Sequence, residues 1–116
     1  MSSDWYKFMY RFWEYAQNFI PSVTIGSIQY NIVSTSVSVT ASCGDWVDMN
    51  ATTGAKGVTL PDPSLLPGAL VGVCKVDASA NAVTVIGTID GAVNFDLIAQ
   101  YETLTLVSVG SEWRAT

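Results

Sequence analysis

The chain contains no histidine. That removes the commonest general base, the commonest proton shuttle and the commonest transition-metal ligand together. Only two cysteines are present, Cys43 and Cys74. Two are too few for a disulfide framework. They are expected as two buried thiols, with one bridge across a sheet as the other reading. No CxxC pair exists, and zinc would lack two of its usual four ligands. Charged residues make up only 13% of the 116 residues, against about 25% in an average soluble domain. Five basic and ten acidic side chains leave a net charge of −5. Without a basic stripe, a DNA or RNA partner is not expected. No run reaches the roughly 20 apolar residues of a transmembrane helix. The start lacks the basic region, plain apolar core and small-residue cleavage site of a signal peptide, so the cytosol is the expected place of synthesis. Low charge with 49% hydrophobic residues argues against a disordered chain. One small domain with one appended segment fits the length.

Residues 1–20 lack glycine and proline, yet hold eight of the thirteen aromatics: Trp5, Tyr6, Phe8, Tyr10, Phe12, Trp13, Tyr15 and Phe19. Trp5, Phe8, Met9, Phe12, Trp13, Ala16, Phe19 and Ile20 recur at i, i+3, i+4 and i+7, the period of an amphipathic helix. Lys7, Arg11, Glu14 and Asn18 lie mostly on the other side. Ser3 or Asp4 is placed to cap the start. Pro21 drives Ile20 out of the α region and ends the helix. Residues 1–21 therefore read as one unit and 22–116 as another. Three uses of the helix are open: docking on another chain, packing on its own sheet, or lying on a membrane surface. Docking is expected. Tyr6, Tyr10 and Tyr15 extend the aromatic surface beyond what one neighbouring sheet covers. A membrane-surface helix normally carries more Lys and Arg than Lys7 and Arg11.

Residues 22–116 read as short strands and turns. Ile28, Tyr30 and Ile32 alternate with polar residues, as do Val37, Val39 and Ala41. Gly26-Ser27 suggests a turn or bulge. Further strands are expected at Trp46 to Met49, Val58 to Leu60, Leu70 to Val76, Val83 to Ile86, Phe95 through Tyr101, Leu104 to Val109 and around Trp113. Leu70 to Val76 is apolar enough to be buried on both faces. Asp90-Gly91 signals a tight hairpin. The spacing predicts a mainly β fold, a small antiparallel β-sandwich or β-prism domain. Leu104 and Leu106 face one way, Val107 and Val109 the other, so a second apolar face needs a cover.

No constellation carries catalysis. Without histidine, the base for any Ser or Thr nucleophile would be Lys7, Lys56 or Lys75, and none has a Ser-x-x-Lys setting. Gly54-Ala-Lys-Gly57 lacks the P-loop spacing. Asp45, Asp48 and Asn50 hint weakly at calcium but lack a closing Glu. Asp90 and Asp96 are explained by turns more simply than as a glycosidase pair. An enzyme is not expected, and no cofactor or metal is called for.

Several stretches carry a resemblance. They are Asn50-Ala-Thr-Thr-Gly54, Val58-Thr-Leu-Pro61, Asp77-Ala-Ser-Ala-Asn-Ala-Val-Thr-Val85, Thr88-Ile-Asp-Gly-Ala92, Gln100-Tyr-Glu-Thr-Leu-Thr-Leu-Val-Ser108 and Gly110-Ser-Glu-Trp113. In this order, over residues 45–114, they resemble a β-structured module of tailed-bacteriophage fibre, spike and head-fibre (virion decoration) proteins. The aromatic leader differs from the long collagen-like or coiled shaft that precedes this module in many fibres. The resemblance implies a virion structural protein, an intertwined homotrimer made in the host bacterial cytoplasm. Its partners would be capsid, portal or tail proteins, without nucleic acid or membrane. Trp5, Phe8, Met9, Phe12, Trp13 and Phe19 would anchor it to the virion. Leu104, Leu106, Val107 and Val109 would line the trimer. The alternative is a receptor- or glycan-binding fibre component recognising a host cell-surface glycan, with Trp46 and Trp113 as aromatic candidates.

Far-UV circular dichroism tests the division at Pro21. A chain beginning at Ser22 is expected to lose nearly all the helical signal of the full-length protein. Retained helix overturns the two-part reading.

Overall fold

A computed structural model describes residues 29–116. The helix expected over residues 1–21, its anchoring side chains and the Gly26-Ser27 turn lie outside the described residues. Nine strands follow: β1 (Asn31–Thr35), β2 (Val39–Thr40), β3 (Asp45–Met49), β4 (Lys56–Thr59), β5 (Leu70–Lys75), β6 (Val83–Ile89), β7 (Ala92–Leu97), β8 (Thr103–Ser108) and β9 (Trp113–Ala115). The described part is mainly β, as the turn spacing predicts.

The sheet is mixed rather than antiparallel, which corrects the expected pairing. Its order is β1-β3-β5-β8-β9-β6-β4-β2, with β7 added beside β6. Odd strands β1, β3 and β5 run parallel in one wing. Even strands β2, β4 and β6 run parallel in the other. Over β1 to β6 the chain therefore alternates between wings, and each of these parallel pairs skips one strand in the chain. Only β6–β7 and β8–β9 are consecutive strands that pair antiparallel as neighbours. β8 also runs antiparallel to β5, and β9 parallel to β6, which joins the wings. Hydrophobic alternation reports which face is buried and is blind to which strand lies alongside. That is why the strands were legible and the pairing was not.

One core fills the concave side. It takes Val47 and Met49 from β3, Val71 and Val73 from β5, Val58 from β4, Val83 and Val85 from β6, Leu104 and Leu106 from β8, and Trp113 from β9. Trp113 is 1% exposed, and its Nε1 donates to the Pro61 carbonyl at 3.0 Å. β5 sits between β3 and β8, and Val71 to Lys75 are all buried, as its apolar run predicts.

Two turns show how the local sequence acts. Asp90 (φ 50°) and Gly91 (φ 80°) both take positive φ and form the tight β6–β7 hairpin. The expected strand from Phe95 through Tyr101 instead stops at Leu97. Glu102 Oε1 accepts the amides of Ile98 (2.7 Å) and Ala99 (3.1 Å), and Tyr101 turns to φ 64°. This side-chain capture competes with the sheet ladder and wins.

Gly72 on β5 lies opposite Trp46 on β3. A Cβ there would stand 2.3 Å from Trp46 Cε3. Gly72→Ala must displace the indole and is expected to cost roughly 1–3 kcal/mol, the overpacking range. Urea unfolding measures it. An unchanged midpoint would mean that the ring does not depend on the missing side chain.

Candidate functional site

Lys75 ends β5 with its side chain fully buried. A buried ammonium survives only if its protons find acceptors. Its Nζ donates to Asp77 Oδ2 (2.7 Å), the Asp77 carbonyl (3.0 Å) and the Ser79 carbonyl (2.8 Å). All three donors are used. The carboxylate of Asp77 is equally occupied. Its Oδ1 accepts the Ala51 amide at 2.8 Å, and its Oδ2 accepts the Ser79 amide at 3.1 Å and the Ser79 hydroxyl. Asn81 completes the cluster, donating from Nδ2 to the carbonyls of Ala51 (2.8 Å) and Thr52 (3.3 Å).

Residues 50–55 and 76–82 are thereby stitched into one polar knot. These are the Asn50-Ala-Thr-Thr-Gly54 and Asp77-Ala-Ser-Ala-Asn81 stretches, far apart in the chain. Burial raises the cost of charging Asp77. The Lys75 ammonium, the Ser79 hydroxyl and the amides of Ala51 and Ser79 outweigh that cost and hold its carboxyl far below the ordinary range.

The knot places Lys75 Nζ 3.5 Å from Ser79 Oγ, a lysine beside a hydroxyl. Nucleophilic chemistry would need a neutral amine and substrate access. Here the ammonium is paired to a carboxylate, and the two described clefts are lined by other residues. The arrangement is suited to holding two turns together. In the sequence Lys75 stands out only as a base without a Ser-x-x-Lys setting. The available signal was a lone lysine at the end of an apolar run, two residues before an aspartate.

The other candidate residues disperse. Asp45 faces inward and accepts the Ser42 amide (2.9 Å) and Asn31 Nδ2 (3.1 Å). Asp48 faces outward and accepts Trp46 Nε1 at 2.8 Å. The calcium hint therefore falls on opposite faces of one strand. Among the described residues, no three His, Cys, Asp or Glu side chains group to hold a metal. Asp90 occupies a turn, and Asp96 accepts the Thr84 hydroxyl at 2.7 Å. Cys43 is half-buried, Cys74 is buried, and neither is bridged.

Leu104 and Leu106 are buried in the protomer's own core. Val107 is half-buried and Val109 exposed, so an intermolecular contact here would fall on those two. Of the two tryptophans considered for recognition, Trp113 is core, while Trp46 lies half-buried on the outward face. The chain matches no protein-family model, and no curated protein is similar to it.

The knot sets the acid limit of the fold. Asp77, Glu102 and Asp62 all have carboxyls below their ordinary range, Glu102 and Asp62 through amides of their own turns and Asp62 also through the Ser64 hydroxyl. Unfolded carboxylates take up protons near pH 4 and folded ones only at lower pH. The stability they add is fully present above about pH 4 and is lost as pH falls through the folded values. Thermal melts from pH 7 to pH 2 are expected to show that decline. Asp77→Asn should lower the melting temperature at pH 7 and flatten the acid slope. Lys75→Ala leaves a buried carboxylate unpaired and should cost roughly 3–5 kcal/mol. A wild-type melt for either variant at pH 7 would remove the knot from its central role.

Proposed function

We propose that the chain is a structural protein of a bacteriophage virion, a short trimeric fibre or decoration protein attached to the capsid or tail through residues 1–21. The resemblance over residues 45–114 supplies the class. The observation that carries the assembly is β7. This edge strand pairs only with β6 among the described residues. Val93 is 77% exposed and Phe95 43%. Apolar edge strands template uncontrolled pairing unless something covers them. Ile98 and Tyr101 continue the uncovered apolar surface just beyond its end. A protein that works as a lone monomer gains nothing from this surface, whereas a symmetric assembly buries it.

The aromatic leader fits the attachment role. Its charges cancel, so long-range electrostatics contributes little and burial must hold it. Three copies on one trimer multiply a modest single-site affinity through effective concentration.

Two measurements test this reading. Sedimentation equilibrium of the full-length protein at micromolar concentration is expected to give the mass of three chains, and Val93→Lys with Phe95→Lys should shift it to one. A wild-type monomer overturns the assembly. Phe12→Ala with Trp13→Ala removes two large side chains, each expected to cost roughly 3–5 kcal/mol where fully buried. Incorporation into particles should collapse while the mass of the free protein is unchanged. Wild-type copy number on the particle would move the attachment into residues 22–116.

A further inference from the structure

The loop from Pro61 to Gly68, between β4 and β5, is apolar at its tip and tied down at its base. Leu65 is 70% exposed and Leu66 57%. Asp62 Oδ1 accepts the Ser64 amide (2.9 Å) and hydroxyl (2.8 Å), and the Asp62 carbonyl accepts the Leu65 amide (3.1 Å). The Ser108 hydroxyl donates to the Pro63 carbonyl at 2.6 Å, and the Ser108 carbonyl accepts the Gly68 amide at 2.8 Å. The Pro61 carbonyl accepts Trp113 Nε1, and the Leu66 carbonyl accepts the Ala69 amide at 3.0 Å. Pro61, Pro63 and Pro67 fix φ at their own positions. The chain has thus met the ordering cost of this loop, yet its two leucines remain in water. A knob held in this way loses little further freedom when it docks.

The second unused surface runs from β7 into the turn that follows it. Phe95, Ile98 and Tyr101 are exposed there. Tyr101 takes φ 64°, a conformation that bulky side chains seldom adopt. Its surroundings enforce it. The Tyr101 amide donates to the Lys75 carbonyl at 2.6 Å, Gln100 Nε2 donates to the Val76 carbonyl at 3.3 Å, and Glu102 Oε1 holds the amides of Ile98 and Ala99. Strain of this kind persists at sites that use it.

Knob and patch are exposed together in one protomer, so a protomer does not cover its own patch. A lipid surface is opposed by the net charge of −5 and by the absence of Lys and Arg from residues 61–68 and 92–102. Self-pairing of β7 across a two-fold axis would cover the patch and leave the knob in water. A head-to-tail contact joins two different surfaces and covers both at once. We infer that Leu65 and Leu66 of one copy dock against Phe95, Ile98 and Tyr101 of the next. This inference rests on the reading that copies of the chain assemble through β7, and it names the surface that β7 meets.

Disulfide trapping in oxidised glutathione tests the contact in the full-length protein, with wild type as the baseline for Cys43 and Cys74. Leu66→Cys with Tyr101→Cys in one chain is expected to give covalently linked copies. Leu66→Cys alone and Tyr101→Cys alone should stay at baseline, because the contact sets each residue against a different one. Leu65→Lys with Leu66→Lys should shift the sedimentation mass from the assembly to one chain while the thermal melt stays wild type, both side chains being exposed. If that variant fails to fold, Leu65→Ser with Leu66→Ser repeats the measurement. Linked copies from either single variant, none from the double variant, or a bond within one chain each overturns the contact. So does a lysine variant that keeps the wild-type mass, which would leave the knob to residues 1–28 or to another protein. In all these cases a wild-type assembly retains the β7 reading, whereas a wild-type monomer removes both.

Discussion

A single buried ammonium organises this fold. Lys75 sits at the end of the most enclosed strand, and removing its charge from water costs several kcal/mol. Only a complete set of acceptors offsets that cost. The acceptors come from Asp77 and Ser79, and Asp77 can present its carboxylate only because Ala51 and Ser79 amides hold it. The turn after β3 and the turn after β5 must therefore be in place together. Among the described residues no buried side-chain polar atom lacks a partner, so the knot is closed rather than half-built.

That closure explains how a chain with little consecutive strand pairing keeps its register. When strands alternate between two wings, each parallel pair is separated by a crossover, and no tight hairpin fixes the alignment. β3 and β5 are linked through a long excursion that includes β4. Tying residues 50–55 to 76–82 pins the ends of these strands. The Lys56 amide donating to the Ala82 carbonyl extends the same alignment to β4 and β6. Antiparallel pairing enters only late in the chain, with β7, β8 and β9.

The sequence revealed local decisions and hid distant ones. Alternation located most strands, the Asp90-Gly91 pair located its hairpin, and the run from Leu70 located the doubly covered strand. Each of these is written in residues a few positions apart. The wing topology is written in no local pattern, because a strand buried on one face looks alike whether its neighbour is parallel or antiparallel. The two apolar faces of β8 are a related case. Leu104 and Leu106 lie on the inner face in the protomer's core, while Val107 and Val109 point to the other side. Among the site residues, Asp48 stood out in the sequence only as part of a weak calcium hint. Its hydrogen bond to the Trp46 indole was hidden, because the direction of the ring depends on Gly72 of the neighbouring β5 leaving space for it.

The two described tryptophans show how position in one sheet divides labour. Trp113 is reached by the inner face of β9, so its indole fills the core and its N–H is satisfied by a backbone carbonyl across the fold. Trp46 is on an outward position of β3, where the same side chain would ordinarily be an exposed liability. Gly72 on the neighbouring strand removes the side chain that would prop the ring upright, and Asp48 occupies its N–H. A glycine inside a strand weakens it and forgoes packing. Its presence in the most buried strand is accounted for by the ring it accommodates. The inner face of the wing is thus committed to stability through Val47, Met49, Val71 and Val73. The outer face instead holds the Trp46 ring, directed by the Asp48 carboxylate and the Tyr30 edge contact.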